Sequence, residues 1–385
     1  MLVQVRLGNQ IIAQGGTKMD VKKHELLKFI KSSTNLTRDQ ILNLVDEDYD
    51  LIYEILDGLN PKLDYFDCIL QWRLSSICDF SIRPNFGKYF AEEFFPTGFI
   101  CGDMYVLSAI SGGGKTSMGI QIATTLATGK NFYSDLKKET KACVFYVSLE
   151  QNKKQIEARV IANLSAIYLG KPILSYSGIL SGQDTFSNEF SNALLIYSTI
   201  QNNLRILDFD YFNKTPTVEE LCMALEYELS ALPKNMKKLV IVDRYENIIG
   251  GTSNNDDKVA RELKNFAVKE NVPILVQAQM SKNAIESAKT SDGKFNVDKL
   301  SASSLKGTSG LEHHASGVMI LVPDNVMSGE SKRITLIQPK NRYGKNESMK
   351  FNFLGTCGLF TQHVETRGRK KKENLEDDSQ ISNLD

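Results

Sequence analysis

Ala109-Ile-Ser-Gly-Gly-Gly-Lys-Thr116 is preceded by a strand-like run, Met104-Tyr-Val-Leu-Ser108, and followed by a helix-like run from Ser117 to Ala127. A glycine-rich turn between a strand and a helix is the setting of a phosphate-binding loop. Three consecutive glycines let backbone N–H groups turn inward around a polyphosphate, because no Cβ blocks the approach. The helix start adds unsatisfied N–H groups and the positive end of its dipole. On this reading Ser111, Gly112, Gly113, Gly114, Lys115, Thr116 and Ser117 cradle a nucleoside triphosphate. Lys115 reaches the β- and γ-phosphates, and the Thr116 hydroxyl ligates Mg²⁺. The pattern G-x-x-x-x-G-K-[ST] is met except at its first position, where Ala109 stands for Gly.

Downstream, strands and helices alternate. Ala142-Cys-Val-Phe-Tyr-Val-Ser148 has a buried-strand pattern, followed by a helical stretch near 152–169, and Leu204-Arg-Ile-Leu207 is a further strand candidate. Thr217-Val-Glu-Glu220 is a capping box that opens a helix to about Leu232. Leu239-Val-Ile-Val-Asp243 is a strand, 256–270 a helix, and Val272 to Ala278 another strand. This alternation predicts a mostly parallel sheet with helices on both faces. Beyond 316 three apolar runs, Gly317–Val322, Arg333–Gln338 and Ser348–Phe353, follow with short connections and read as antiparallel strands added at the sheet edge.

Upstream, residues 1–80 form a region that reads as helical over 20–80, after a short alternating run Val3–Leu7, and 81–102 is an aromatic, Pro- and Gly-marked linker loop. Residues 103–362 are the nucleotide-binding domain, and 363–385 a basic-then-acidic tail with the composition of a disordered segment. The chain has 385 residues, 42% hydrophobic and 24% charged, with a formal net charge of zero, so any nucleic-acid contact must use local patches. Six scattered cysteines form no C-x-x-C pair and read as free thiols of a reducing cytoplasm. No apolar run has the length of a membrane span, so no membrane partner is expected.

Ligands of such sheets bind at the carboxyl ends of the strands. Asp243 ends one strand and is placed to support Mg²⁺; Glu150 follows the strand next to that of the phosphate loop, where a carboxylate can orient or deprotonate the attacking water. Glu150 also reads as an acid at the start of the following helix. Gln279 ends the strand after Asp243 and reads equally as a γ-phosphate sensor or as a loop residue.

Ser148-Leu-Glu-Gln-Asn-Lys-Lys-Gln-Ile-Glu-Ala-Arg159 resembles the S-L-E-M-S-x-x-Q-L-x-x-R segment of DnaB-like replicative ring helicases. Their phosphate loop, with Ala common at its first position, is similar to Leu107–Thr116; their third block resembles Arg261–Ala267, Asn271–Ile274 and Ala278-Gln-Met280; their K-x-R-x-G block resembles Lys340-Asn-Arg-Tyr-Gly344. The ordered matches span about 99 to 355 and point to the compact phage-type members. The resemblance implies a RecA-like fold, ATP and Mg²⁺ as cofactors, and a homohexameric ring that moves 5′→3′ on single-stranded DNA in a cytoplasm. It makes Glu150 the catalytic base, Gln279 the γ-phosphate sensor, and Lys340 and Arg342 cations that act on a neighbour's nucleotide. It assigns DNA contact to Lys282, Lys306, Gly307 and Thr308, in a polar segment (281–315) that also reads as a surface loop over 283–299. A primase, a helicase loader or a polymerase would dock on the N-terminal region or the acidic tail.

The chain departs from the family at Arg244-Tyr245, where Tyr-Leu is usual, and at Ser281-Lys282. The 340–344 block also resembles the K-N-R-F-G block of RadA, so a recombination or branch-migration ATPase is the alternative; the paired N-terminal cysteines and protease-like domain of RadA are not found here. A third possibility is an ATP-regulated adaptor or loader that does not unwind.

Overall fold

An apolar run that ends in a tight turn is stable only if it is covered on both sides, and Met104–Ala109 (β1) is buried at all six positions. The computed structural model describes residues 5–7, 10–12, 81–82 and 90–363, apart from 91–93, 96, 111, 130–140, 170–172, 234–235, 252–255, 292–293, 307–308 and 329–330. In it β1 is the middle strand of a nine-stranded sheet. The other strands are Cys143–Ser148 (β2), Leu204–Leu207 (β3), Lys238–Asp243 (β4), Ile274–Gln279 (β5), Gly317–Ser328 (β6), Ser331–Asn341 (β7), Ser348–Leu354 (β8) and Leu359–Gln362 (β9). Their order is β9-β8-β7-β6-β1-β5-β4-β2-β3. The strands from β6 to β3 in that order are mutually parallel; β7, β8 and β9 are antiparallel to their neighbours.

Parallel neighbours need long crossovers. Helices Lys115–Thr128 (α1), Lys153–Leu169 (α2), Val218–Ser230 (α3) and Asp256–Lys269 (α4) lie on them. α3 opens on the expected capping box: the Glu220 N–H donates to the Thr217 hydroxyl and the Thr217 N–H to the Glu220 carboxylate. Its buried Val218, Leu221, Leu225 and Leu229 make one stripe at helical spacing. That stripe shares a core with Val259 and Leu263 of α4 and Val240 and Val242 of β4. α1 differs, being buried continuously from Ser117 to Ala127.

Three expectations change. Gly317–Val322 is not an antiparallel addition: β6 runs parallel to β1, Gly317 opposite Tyr105, because the connection from β5 carries the chain back to the start of the sheet. A further strand, β9, closes the antiparallel edge. Residues 283–299 hold regular structure, with a helix over Lys282–Ala288 (α5) and a 3₁₀ turn over Val297–Lys299.

The chain divides into two compact units, residues 1–82 with 97–101 and residues 83–96 with 102–385. Within the first, Val5–Leu7 pairs antiparallel with Gln10–Ile12, and Ser81–Ile82 with Phe99–Ile100. The helices expected over 20–80 and the tail from 364 lie outside the described residues. No helix among the described residues is long and apolar enough to cross a membrane.

Two buried amides join the phosphate-loop helix to the far edge of the sheet. Gln121 donates to the Phe360 carbonyl at 2.8 Å and accepts from the Phe360 N–H at 2.7 Å. Asn163 of α2 accepts from the Thr124 hydroxyl and donates to the Gly358 carbonyl. Replacing Gln121 with an apolar residue strands two buried backbone groups, at about 1–3 kcal/mol each. Gln121→Met is therefore expected to lower unfolding free energy in urea by about 2–6 kcal/mol. A loss under about 0.5 kcal/mol, the range of ordinary surface substitutions, would contradict this account.

Candidate nucleotide site and nucleic-acid face

Residues 109–114 leave the end of β1 in a turn that only glycine completes. The Gly113 N–H donates to the Ile110 carbonyl at 2.9 Å, and a Cβ on Gly113 would stand 2.9 Å from that same oxygen. Gly114 has φ 88° and precedes α1 without supplying a side-chain cap. The first N–H groups of α1 are thus available to an anion. Lys115 and Thr116 are half-buried and Ser117 is buried; Ser111 lies outside the described residues.

β5 separates β1 from β4, so a residue of α1 must reach across it to meet Asp243. Gly119 makes this possible: a Cβ there would lie 1.8 Å from the amide nitrogen of the fully buried Gln277 on β5. The helix therefore rests directly on β5, and one turn earlier the Thr116 hydroxyl donates to Asp243 Oδ2 at 2.9 Å. The buried Tyr146 hydroxyl of β2 donates to the same oxygen at 2.9 Å. Asp243 Oδ1 is buried and has no hydrogen-bond partner. Burial pushes the Asp243 carboxyl above its usual range, against the pull of Lys115, Thr116 and Tyr146, while Glu150 pushes the same way as burial. A desolvated carboxylate with one unused oxygen, beside a hydroxyl and a helix start, is a donor set suited to a hard divalent cation with a phosphate. Thr116 and Asp243 would hold it.

Glu150 reaches this site from two strands further across than expected. The neighbours of β1 are β5 and β6, and β2 lies beyond β4. Ser148 is opposite Asp243, and the Leu149 N–H donates to the Asp243 carbonyl at 2.6 Å, so Glu150 emerges beside the end of β4. Its carboxylate is 3.4 Å from Arg244 Nη1. Arg244 Nε also faces Glu246 Oε2, at 3.6 Å. Glu246 Oε1 accepts from the Gln279 N–H. Gln279 itself lies opposite Ala109, the first residue of the phosphate loop. Tyr146 and Glu246 are contacts around the site that the amino-acid pattern does not single out, and Arg244 stands out there only as a departure from the family pattern. A tyrosine inside an apolar strand is the signal for Tyr146; for Glu246 none is evident before the 244–251 turn is seen.

The Gln279 carbonyl accepts from the Lys306 N–H at 2.8 Å, and Met280 bridges to Leu305. Lys306 and Lys282, the latter at the start of α5, are both exposed beyond the end of β5. Gly307 and Thr308 lie outside the described residues. Lys340 and Arg342 are placed elsewhere. Both donate to carbonyls at the last turn of the helix Ser309–His314 (α6): Lys340 to Glu312 at 2.5 Å, Arg342 to His313 at 3.3 Å. Burial holds the Lys340 ammonium below its usual range, and the Arg342 charge adds to it. Asn341 pairs with Gly317, which pairs with Tyr105 near the start of β1. The two cations therefore flank the opposite end of the sheet from the phosphate loop, roughly 17 Å away along the strand.

The raised Asp243 carboxyl carries a sign. A carboxyl whose folded pKa is raised adds stability that is complete below its ordinary value of 3.8 and is lost as pH rises through the folded value. Without metal, Asp243→Asn is expected to melt higher relative to the parent at pH 8 than at pH 5. The same variant should lose Mg²⁺-dependent ATP turnover by about 100-fold or more. A melting difference that shrinks with pH would contradict the assignment.

The family model described as the DnaB-like helicase C-terminal domain matches residues 93–362. The chain is 26% identical over 280 residues to the replicative DNA helicase DnaB of Mycoplasma genitalium, covering 69% of this chain and 53% of that protein. It is 25% identical over 346 residues to a probable replicative DNA helicase of Trieres chinensis, covering 86% and 69%. The chain thus spans about half the length of the Mycoplasma relative. Among solved structures, an ATPase domain aligns with a TM-score of 0.58 at 18% identity, over 83% of this chain and 99% of that one. A DnaB-like replicative helicase solved for its interactions with primase aligns with a TM-score of 0.61 at 17% identity, over 89% and 76%. These two carry the fold, a mostly parallel sheet in the RecA manner with antiparallel edge strands. With the family model spanning most of the chain, the protein belongs to the DnaB-like helicase C-terminal domain family.

Proposed function

We propose that the protein is an ATP-hydrolysing replicative DNA helicase, a homohexameric ring that translocates on single-stranded DNA and separates duplex ahead of it. The observation that carries this is the separation of the two halves of the catalytic set. Lys115, Thr116, Asp243 and Glu150 gather at the carboxyl end of the sheet, while Lys340 and Arg342 flank its other end. A cation meant for the transferring phosphoryl group would then meet the nucleotide of a neighbouring chain, which requires assembly.

Lys115 and the α1 N–H groups bind the polyphosphate. Thr116 and Asp243 hold Mg²⁺, which when bound screens the phosphate oxygens and supports the charge of the transition state. Glu150 orients the attacking water and accepts its proton. Gln279, opposite the first residue of the phosphate loop, senses the γ-phosphate and passes its presence to the segment carrying Lys282 and Lys306. Those lysines neutralise backbone phosphates, a sequence-independent grip.

Lys115→Ala is expected to abolish ATP turnover. On a forked duplex with a free 5′ tail, the wild-type chain should unwind in the presence of ATP and Mg²⁺. Strand exchange without unwinding would favour the RadA-like reading, and ATP binding without DNA-stimulated turnover an adaptor. Doped one-to-one into wild-type rings, Arg342→Ala should leave well under half of the activity, since one missing cation at the phosphoryl group can cost on the order of 1,000-fold. A loss in strict proportion to the mutant fraction would rule out action between subunits.

A further inference from the structure

Arg244 sits between two carboxylates. Its Nη1 faces Glu150 at 3.4 Å and its Nε faces Glu246 at 3.6 Å. The two contacts differ in character. The Glu150 side chain is 44% exposed, so this pair is screened by solvent and exchangeable. Glu246 is 5% exposed and accepts from the Gln279 N–H with its other oxygen, so that carboxylate is fixed; its 3.6 Å contact with Arg244 is a buried ion pair rather than a hydrogen bond, and burial spares it the screening that weakens the Glu150 pair. From Gln279 the chain of contacts continues through its carbonyl to the Lys306 N–H. A second tie keeps the two turns in register: the Asn247 amide donates to the Leu149 carbonyl, one residue before Glu150.

An unbroken sequence of polar contacts therefore runs Glu150, Arg244, Glu246, Gln279, Lys306. Its first member is a carboxylate that must be free to face a water, and its last is an exposed lysine. A guanidinium bound to a carboxylate occupies the lone pairs that a general base needs. We propose that Arg244 is a positioning residue that holds Glu150 out of action and releases it when a single strand loads the Gln279–Lys306 junction. A displacement at Lys306 moves the Gln279 backbone, which moves Glu246, which draws Arg244 away from its solvent-exposed partner, Glu150. Such coupling needs a contiguous physical network with two arrangements, and the loose Glu150 contact is the joint at which the arrangements differ. The inference rests on Glu150 being the base and on the chain binding single-stranded DNA, as proposed above.

The test uses the full chain and measures ATP turnover with and without a thymidine homopolymer. Arg244→Gln should raise DNA-independent turnover at least threefold and lower the stimulation ratio at least fivefold, with KM for ATP within twofold of wild type. Glu246→Gln leaves Arg244 on Glu150 but loosens the hold on Gln279; its stimulation ratio should fall without a rise in DNA-independent turnover. Arg244→Lys, one cation unable to span both carboxylates, should be intermediate. Stabilisation by ADP in a thermal melt checks that each variant folds, and if Arg244→Gln does not, the ratio for Glu246→Gln decides. An unchanged stimulation ratio, or no rise in DNA-independent turnover for Arg244→Gln, overturns the inference. Absence of stimulation in the wild type would instead overturn the helicase reading on which it rests.

Discussion

The hydrogen bond from Thr116 to Asp243 fixes the rest of the site. A carboxylate that is 2% exposed, with one oxygen unsatisfied, is costly to bury unless something charged meets it. The surrounding structure supplies what it can: Thr116 and Tyr146 on one oxygen, and the Lys115 charge nearby. What it leaves over is one buried oxygen without a partner, on a carboxylate bonded to the first turn of an uncapped helix. That geometry depends on how closely α1 lies on β5, and hence on the missing side chain at Gly119. The strand order places β5 between β1 and β4, so the phosphate loop and Asp243 sit one strand apart, bridged by the helix.

The parallel strands are also why the residues proposed for catalysis lie at two rims of the sheet. Every parallel strand delivers its end residues to one rim, whereas the antiparallel β7 ends at the other. Asp243, Gln279 and the phosphate loop share the first rim by necessity. Lys340 and Arg342, at and just beyond the end of β7, cannot join them within one chain. In the proposed ring, the antiparallel β7 would thus present these cations toward a neighbour.

Much of this is legible from residue patterns because each signal is local. The phosphate loop is eight consecutive residues, the Thr217–Glu220 capping box four, and the apolar runs of β2, β4 and β5 need burial on both faces whatever their neighbours. Sheet order is not local. Glu150 reads as belonging beside the phosphate-loop strand because its strand is next in the chain, yet β4 and β5 are inserted between them later in sequence. β6 reads as antiparallel for a related reason: its direction is set by the 280–316 connection, whose short helices and 3₁₀ turns carry little periodicity. Tyr146 and Glu246 bond partners 97 and 33 residues away, separations at which residue spacing says nothing.

The start of β1 carries a constraint of its own. Asp103 is 6% exposed and accepts from Lys264 of α4 and from the Tyr343 hydroxyl. Burial alone would push its carboxyl up, but the hydrogen bonds from Lys264, Tyr343 and Ser316 and the Lys264 charge outweigh it and hold it below the usual range. It is therefore ionised at neutral pH, and the Tyr343 bond is made to a charged acceptor, which strengthens it. Tyr343 adjoins Arg342, so the block that carries both cations is anchored to the residue immediately before β1. At the other end of that strand, six buried residues on, stands the phosphate loop. A fully buried strand between two sheet neighbours is among the least deformable elements of a domain. Displacement of the 340–344 block would thus be carried to the phosphate loop along one stiff element rather than dissipated in a surface loop.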